Sequence, residues 1–222
     1  MAYTTIDDPE LYFQAKLHTG NATNRSITLD GSEDMQPDFV WIKSRASNNH
    51  ELFDAVRGAT KRMYSDLGNA ENTNATTLTS FDSDGFSLGT GNPNNDGDNY
   101  VSWCWKESAT SGFDIVSYTG NGSARTISHS LSAVPSMMIV KNRGSGYSWQ
   151  VYHHKNTSAP ETEIMYLNTT AATADSNVEW NDTAPTSSVF TVGTDVGVNE
   201  NTKGMIAYLF TNVQGFSKFG SY

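Results

Sequence analysis

The strongest constraint on the fold of this chain is a sequence skeleton that occurs twice. Residues 13–45 and 113–143 each contain Thr-Gly-Asn, then a proline, four apolar residues and Lys-x-Arg. Pro37 and Pro135 are 98 residues apart, and later motifs recur in the same order at spacings of 102 to 105 residues. A repeat of this length predicts two similar units, each large enough for its own core.

The matched motifs set the boundaries of the predicted units. Residues 1–10 have no counterpart and are interpreted as an N-terminal arm, residues 11–112 as the first β repeat, and residues 113–222 as the second. The closing GFSKFGSY resembles the start of the second repeat, GFDIVSYT. We therefore expect a C-terminal strand that pairs back into the second unit and closes an open sheet edge.

Strand signals dominate within each unit. Val101, Trp103 and Trp105 alternate with Tyr100, Ser102 and Cys104, a period of two that is typical of a β-strand. Turn signals such as Asp-Gly follow at intervals of roughly 8–12 residues, as in sandwiches and barrels. The pattern predicts an all-β chain of two tandem, similar β-sandwich units of jelly-roll-like type with a closing C-terminal strand.

Charge and composition exclude several classes of function. The net charge is −10 and the pI is about 4.8, which argues against nucleic-acid binding because that needs a basic surface. Apolar runs are too short to span a membrane, so no membrane insertion is expected. The single cysteine excludes an internal disulfide. The first residues lack the features of a signal peptide, which predicts synthesis in the cytoplasm of the host.

The repeat serves as an internal control on candidate sites. Trp103 and Trp105 share a strand face and are able to stack on a sugar, but Tyr208 and Phe210 occupy the matching positions. We therefore favour core packing for both tryptophans. Cys104 matches Leu209 and is interpreted as a small apolar core residue.

Acidic loops and histidines are the remaining candidates for chemistry. The aspartates of FDSDGF and NNDGDN suit Asx turns better than calcium ligation, although calcium binding stays open. The histidines are interpreted as surface or turn residues, because no nucleophile elbow, metal-ligand pair or phosphate loop accompanies them. No catalytic residue, cofactor or metal is predicted. The residues concerned are Asp82, Asp84, Asp96, Asp98, His50, His153 and His154.

The strongest repeated polar feature is the Lys-x-Arg that ends each apolar run. Lys43 and Arg45 in the first repeat match Lys141 and Arg143 in the second. By strand alternation, each lysine and arginine shares a face with its apolar neighbours two and four residues earlier. Two interpretations remain for these four residues: anchors at the rim of their own unit, which we favour, or contacts to a neighbouring subunit.

Several stretches together resemble a family of bacteriophage proteins common in marine phages, usually described as tail-fibre or virion structural proteins. The stretches are MAYTTIDDPELYFQAKLHTGN, QPDFVWIKSR, FDAVRGATKRMYS, LTSFDSDGFSLG, YVSWCWK, APTSSVFTVG and GFSKFGSY. The resemblance covers nearly the whole chain and implies a virion component built on an all-β repeat. It implies no catalytic residues. The chain ends after residues 215–222, where longer relatives continue into further repeats.

The expected function follows from this resemblance and from the repeat. We expect a non-enzymatic protein on the outside of the virion, most simply of tail-fibre or receptor-binding type. Its expected partners are other virion proteins, further copies of itself in a homo-oligomer, and a host receptor or glycan. The alternatives are a head decoration protein that stabilises the capsid and, less favoured, a carbohydrate-active depolymerase, for which no motif places a pair of carboxylates.

Overall fold

A computed structural model describes residues 4–221 and divides them into two compact units. One consists of Asp8–Leu67 and Glu71–Glu107. The other begins at Ser108 and also includes Gly68–Ala70 and the short described segment before Asp8. The predicted arm, residues 1–10, lies partly outside the described residues; of its remainder, Ile6 is buried and Pro9–Leu11 form a 3-10 helix.

The first unit contains nine strands in two antiparallel sheets. The large sheet has the order β1-β9-β3-β4-β5-β6, and the small sheet has the order β2-β8-β7. The strands are β1 Phe13–Thr19, β2 Arg25–Ile27, β3 Phe39–Ser44, β4 Glu51–Asp54, β5 Lys61–Tyr64, β6 Asn72–Thr73, β7 Leu78–Asp82, β8 Gly85–Leu88 and β9 Asn99–Trp105.

The core of the first unit lies between its two sheets. Val40 and Ile42 from β3 and Cys104 from β9 project from the large sheet onto Phe86 and Leu88 of the small one. All five side chains are almost wholly buried. Because side chains alternate along a strand, the residues between them must project from the opposite face of the large sheet.

The second unit repeats this arrangement. Its large sheet has the order β10-β17-β12-β13-β14-β15, and β11 pairs with β16 in a small sheet. The strands are β10 Phe113–Thr119, β11 Arg125–Ser128, β12 Met137–Asn142, β13 Gln150–His153, β14 Glu163–Tyr166, β15 Ala174–Asp175, β16 Val189–Val192 and β17 Gly204–Phe210; a 3-10 helix covers Pro160–Thr162 and a four-residue helix, α1, covers Val196–Asn199.

The strand registers agree with the residue matches made from the sequence. Trp103 pairs with Trp41 in the first large sheet, and Tyr208 pairs with Ile139 at the same place in the second. The core of the second unit lies between its sheets, where Met138 and Leu209 belong to the same buried cluster as Phe190, Ile127 and Val192.

The all-β class is confirmed, the antiparallel sheets are consistent with a β-sandwich, and the strand order refines the predicted jelly-roll-like type. Strands β3 to β6 are consecutive neighbours in one sheet, which is a meander, whereas a jelly roll is built from two Greek keys. In the described part of the chain the longest α-helix has four residues, and no helix is long and apolar enough to cross a membrane.

The predicted closing strand is wrong for the described residues. After β17 the chain makes one isolated bridge between Val213 and Ser217 and no strand up to residue 221. Strand β17 already has β10 and β12 on its two sides, so the following segment has no free edge beside it. That segment turns back instead, and the ring of Phe219 packs 5.8 Å from the ring of Phe210.

The repeated Thr-Gly-Asn is a loop held against a buried asparagine. The amide nitrogen of Asn21 donates to the side-chain oxygen of Asn94, and that of Asn121 donates to Asn199 in the same way. A Cβ at Gly20 would lie 2.0 Å from the carbonyl oxygen of Asn95. Glycine is therefore required where the loop backbone approaches the opposite loop this closely.

Candidate functional site

The large sheet of the first unit carries an aromatic face on the side away from its core. Phe13, Trp105 and Phe39 form one row across β1, β9 and β3, and Trp103 and Trp41 continue it in the next row. These side chains project away from the core because they alternate with the core residues of the same strands. All except Phe39 are partly exposed.

All of these rings except that of Phe39 line a surface cavity of about 500 Å³ together with Lys43 and His50. Trp41 and Trp103 meet edge to face with centroids 6.1 Å apart and planes at 78°. Phe13 and Trp105 are tilted with centroids 5.0 Å apart. The indole nitrogen of Trp41 donates to Ser65 Oγ at 3.0 Å, which fixes the orientation of that ring. The volume falls within the range of small-molecule sites.

The same face of the second large sheet is buried. Tyr208 and Phe210, the counterparts of Trp103 and Trp105, are 1% and 8% exposed, and Ile139, the counterpart of Trp41, is 4% exposed. Trp103 and Trp105, by contrast, are partly exposed and lie outside the buried core cluster, so the core packing that we favoured for both tryptophans is wrong. The sequence shows that the two repeats share this apolar face, but nothing in a period-two pattern tells which copy of the face is covered.

Lys43 and His50 provide the polar groups of the cavity. Lys43 Nζ lies 2.8 Å from His50 Nε2, and the backbone nitrogen of His50 donates to Asp66 Oδ1 at 3.0 Å. Burial, followed by the charge of Lys43, lowers the pKa of His50. A neutral imidazole that accepts a hydrogen bond from the ammonium group accounts for this contact.

The other three members of the Lys-x-Arg pairs have different surroundings. Lys141 is wholly buried and donates to the carbonyl oxygens of Gly68 and Tyr147 at 2.9 and 2.5 Å, inside one compact unit. Burial lowers the pKa of Lys141 to about 8. Arg45 is exposed and Arg143 is partly exposed. Lys141 thus fits the role of an internal anchor, whereas Lys43 faces the cavity.

The acidic loops use their carboxylates locally. Asp82 accepts hydrogen bonds from Ser80 and Ser87, and Asp98 accepts one from Asn48. Asp84 Oδ1 accepts a long bond from the amide of Met35 at 3.4 Å. Among the described residues no group of three or more His, Cys, Asp or Glu side chains is arranged to hold a metal ion.

The cysteine and two of the histidines considered as candidate site residues are packed against other parts of the fold. Cys104 is fully buried in the first core, and burial raises the pKa of its thiol, as expected of an inert core cysteine. His153 and His154 lie side by side with ring centroids 5.5 Å apart, and His154 Nε2 is 3.1 Å from the carbonyl oxygen of Phe219. His154 therefore contacts the C-terminal segment.

Glu51 is a buried carboxylate that the sequence did not single out. Its Oε1 accepts from Asn92 at 2.7 Å and from Arg62 at 3.1 Å, while Oε2 is buried with no hydrogen-bond partner. Burial raises the pKa of Glu51 to about 7, against the opposing effect of Arg62. The matching residue in the second repeat is Gln150, which pairs with Tyr166 as Glu51 pairs with Tyr64. The replacement of a glutamine by a glutamate between the repeats is the signal in the sequence that could have identified Glu51.

Glu51 is expected to make the stability of the protein depend on pH. Because its folded-state pKa lies above the ordinary value of 4.5, the folded protein holds more protons than the unfolded chain between about pH 4.5 and pH 7. Stability from this group is thus present below pH 4.5 and is lost as the pH rises to 7, by about 3 kcal/mol.

Urea titrations of Glu51→Gln and the unchanged protein from pH 4.5 to pH 8 measure this effect. The difference in unfolding free energy between the two proteins should shift in favour of the variant as the pH rises. A difference that stays constant over the range would show that Glu51 ionises in the folded protein as it does in water.

Comparison with known proteins gives one match. The family model of a domain of unknown function, DUF7483, matches residues 8–222. The search of curated proteins found no match. The search of solved structures found none either.

Proposed function

The chain belongs to the DUF7483 family, and we propose that it is a non-enzymatic structural protein of a bacteriophage virion, exposed on the particle and of receptor-binding type. The observation that carries the binding role is the aromatic face of the first large sheet, where Phe13, Trp41, Trp103 and Trp105 line one cavity. Contact with a glycan of the host surface is the proposed task of this face.

The four rings that line the cavity are partly exposed. Aromatic side chains dominate the energetics of cores and interfaces, and large apolar patches on a surface usually mark a binding site. The second repeat shows that this fold is able to cover the same face, since Tyr208 and Phe210 are buried there. A face that stays aromatic and open in one repeat is best explained by an external ligand.

A sugar ring fits this face in shape and chemistry. A pyranose presents a flat face of C–H groups that packs on an indole ring, while its hydroxyl groups form hydrogen bonds at the edges. The cavity offers mainly the first kind of contact, because its surface is almost wholly apolar; Lys43 and His50 are its polar lining residues. Ring stacking and hydrogen bonds of this kind bind a sugar without reacting with it, in keeping with the proposed non-enzymatic role.

Binding to host-surface polysaccharide tests the receptor-binding role. Purified protein should bind polysaccharide extracted from the host cell envelope, and Trp103→Ala should weaken the binding at least tenfold, since central tryptophans are typical hot spots. Tyr147→Ala is the matched control, because Tyr147 is an exposed aromatic residue outside the cavity. Isothermal titration calorimetry gives both affinities. Equal losses in the two variants, or no binding of the unchanged protein, would reject the glycan role.

The virion role has a separate test. Quantitative mass spectrometry of purified phage particles should detect this chain in a small number of copies, as befits a tail fibre. Hundreds of copies per particle would instead support the decoration role on the capsid. A chain found only in the lysate and never on particles would contradict both virion roles.

A further inference from the structure

The cavity on the first large sheet has one cationic residue in its lining, Lys43. Lys43 projects from β3 on the same face as Trp41, and its Nζ contacts His50 Nε2 at 2.8 Å. Of the ion pairs found among residues 4–221, none includes Lys43. An ammonium group carries three donors, and the imidazole uses one of them.

The counterpart of Lys43 in the second repeat shows that this arrangement is particular to the first. Lys141 occupies the same register position, opposite Ile206, as Lys43 does opposite Val101. Lys141 is wholly buried, and its donors are directed to two backbone carbonyls. Lys43, by contrast, is partly exposed and is one of the residues that line a surface cavity.

The lining of the cavity thus combines aromatic rings, one cation and a neutral histidine, with no carboxyl group in the set. We propose that its ligand is a carboxylated sugar, such as a uronic acid residue of a surface polysaccharide. The sugar ring stacks on the indole of Trp103 or Trp41, and its carboxylate pairs with Lys43 Nζ. The inference rests on the proposed glycan-binding role and names the class of sugar.

Charge complementarity distinguishes an acidic sugar from a neutral one. A lysine ammonium is strongly hydrated, and a ligand that covers it without providing an anion loses that hydration with little in return. A carboxylate replaces the water with a charge-assisted hydrogen bond. His50 has a positioning role here, because its Nε2 accepts from Nζ and holds the ammonium at the cavity wall.

The net charge of −10 opposes an acidic polymer at long range. At about 0.15 M salt the screening length is roughly 8 Å, so the contact at Lys43 decides the binding while distant carboxylates are largely screened. The experiment is therefore performed at that ionic strength. At about 0.01 M salt the screening length is roughly 30 Å, and the same contact should appear weaker.

A matched pair of probes tests the charge directly. Tetragalacturonate and its fully methyl-esterified form share one sugar backbone, and the ester replaces each carboxylate with an uncharged methyl ester. By calorimetry, the unchanged protein should bind the acid at least ten times more tightly than the ester. Lys43→Gln should abolish this preference, Lys43→Arg should keep most of it, and Trp103→Ala should weaken both complexes. Thermal unfolding of each variant shows whether the fold is intact.

A second readout locates the ligand. The chain has five tryptophans, of which Trp41, Trp103 and Trp105 line the cavity and Trp149 and Trp180 are fully buried. In nuclear magnetic resonance spectra, the acid should shift the indole N–H signals of the first three and leave the other two unchanged.

The possible results separate this inference from the proposed function. Equal binding of acid and ester, both weakened by Trp103→Ala, would overturn the acidic-sugar inference and leave the glycan role standing. A preference for the acid that survives in Lys43→Gln would overturn the assignment of Lys43. Failure of the acid to bind at millimolar concentration would also overturn the inference, whereas the glycan role is judged with host polysaccharide.

Discussion

Replacing Asn94 or Asn199 with alanine is expected to lower the free energy of unfolding by about 3–5 kcal/mol. Each asparagine is fully buried and connects two loops of its unit. Asn94 Nδ2 donates to the carbonyl oxygens of Thr23 and Gly89 at 2.7 and 2.8 Å, and its Oδ1 accepts from the amide of Asn21 at 3.1 Å. Alanine leaves these three backbone groups without their partner.

The second repeat contains the same arrangement and provides an independent measurement. Asn199 Nδ2 donates to Ser123 and Gly193, each at 2.7 Å, and its Oδ1 accepts from Asn121 at 3.0 Å. Removing one partner of a buried hydrogen bond costs about 1–3 kcal/mol because the other partner is left desolvated. Three such losses at each site, partly relieved by entering water, give the expected range.

Denaturant unfolding measures the change, and amide hydrogen exchange locates it. Exchange should accelerate at the amides of Ala22 and Gly122, which donate to the backbone carbonyls of Asn94 and Asn199. Asn201→Ala is the matched control, since Asn201 is exposed and close in sequence to Asn199; we expect a change within about 0.5 kcal/mol. A loss below about 1 kcal/mol in both buried variants would show that the Thr-Gly-Asn loop is held by its own backbone contacts.

These asparagines also show how far the sequence predicts the structure. The repeat of Thr-Gly-Asn identifies a duplicated unit, and the period-two patterns predict which residues share a face of a strand. The partner of the motif is remote, since Asn21 and Asn94 are 73 residues apart. A turn rich in Asn and Gly gives no local sign that one of its asparagines is buried, so the function of the motif emerges only from the folded structure.

The aromatic site was less predictable for a related reason. Alternation places Trp103 and Trp105 on the face opposite Cys104, and this is correct. Whether that face is covered depends on segments distant in sequence. The second repeat suggested core packing because Tyr208 and Phe210 occupy the matching positions, and those two residues are indeed buried. Two copies of one pattern therefore differ in exposure, and similarity between repeats does not predict similarity of surfaces.

Replacing Arg57 with methionine is expected to destabilise the first unit by about 3–5 kcal/mol, the usual cost of leaving one partner of a buried ion pair alone. The side chains of Arg57 and Asp54 are both fully buried and paired. Arg57 also donates to the carbonyl oxygens of Leu52 at 3.1 Å and Lys61 at 2.9 Å, and to Glu71 at 3.2 Å. Methionine keeps much of the side-chain volume and removes every one of these donors.

A double-mutant cycle separates the ion pair from the other contacts of Arg57. Asp54→Asn removes the buried negative charge, so adding it to Arg57→Met should recover part of the lost stability, and the coupling between the two changes should exceed about 1 kcal/mol. Arg57→Lys keeps the charge without the forked geometry, so its free energy of unfolding should lie between those of the unchanged protein and Arg57→Met. Unfolding in urea gives the free energy of unfolding of the unchanged protein and of each variant. Additive single changes would mean that Arg57 acts through its contacts other than Asp54, namely the two carbonyls and Glu71.

The location of this pair explains why its loss should be costly. Arg57 lies in the connection between β4 and β5 and bonds to one carbonyl of each strand, Leu52 in β4 and Lys61 in β5. Strand β4 pairs directly with β3, the strand that carries Trp41 and Lys43. If the ion pair fixes this part of the sheet, Arg57→Lys should weaken glycan binding less than Arg57→Met does, in proportion to the fraction of protein that stays folded. A loss of binding in a variant that remains fully folded would show instead that the pair shapes the aromatic face itself.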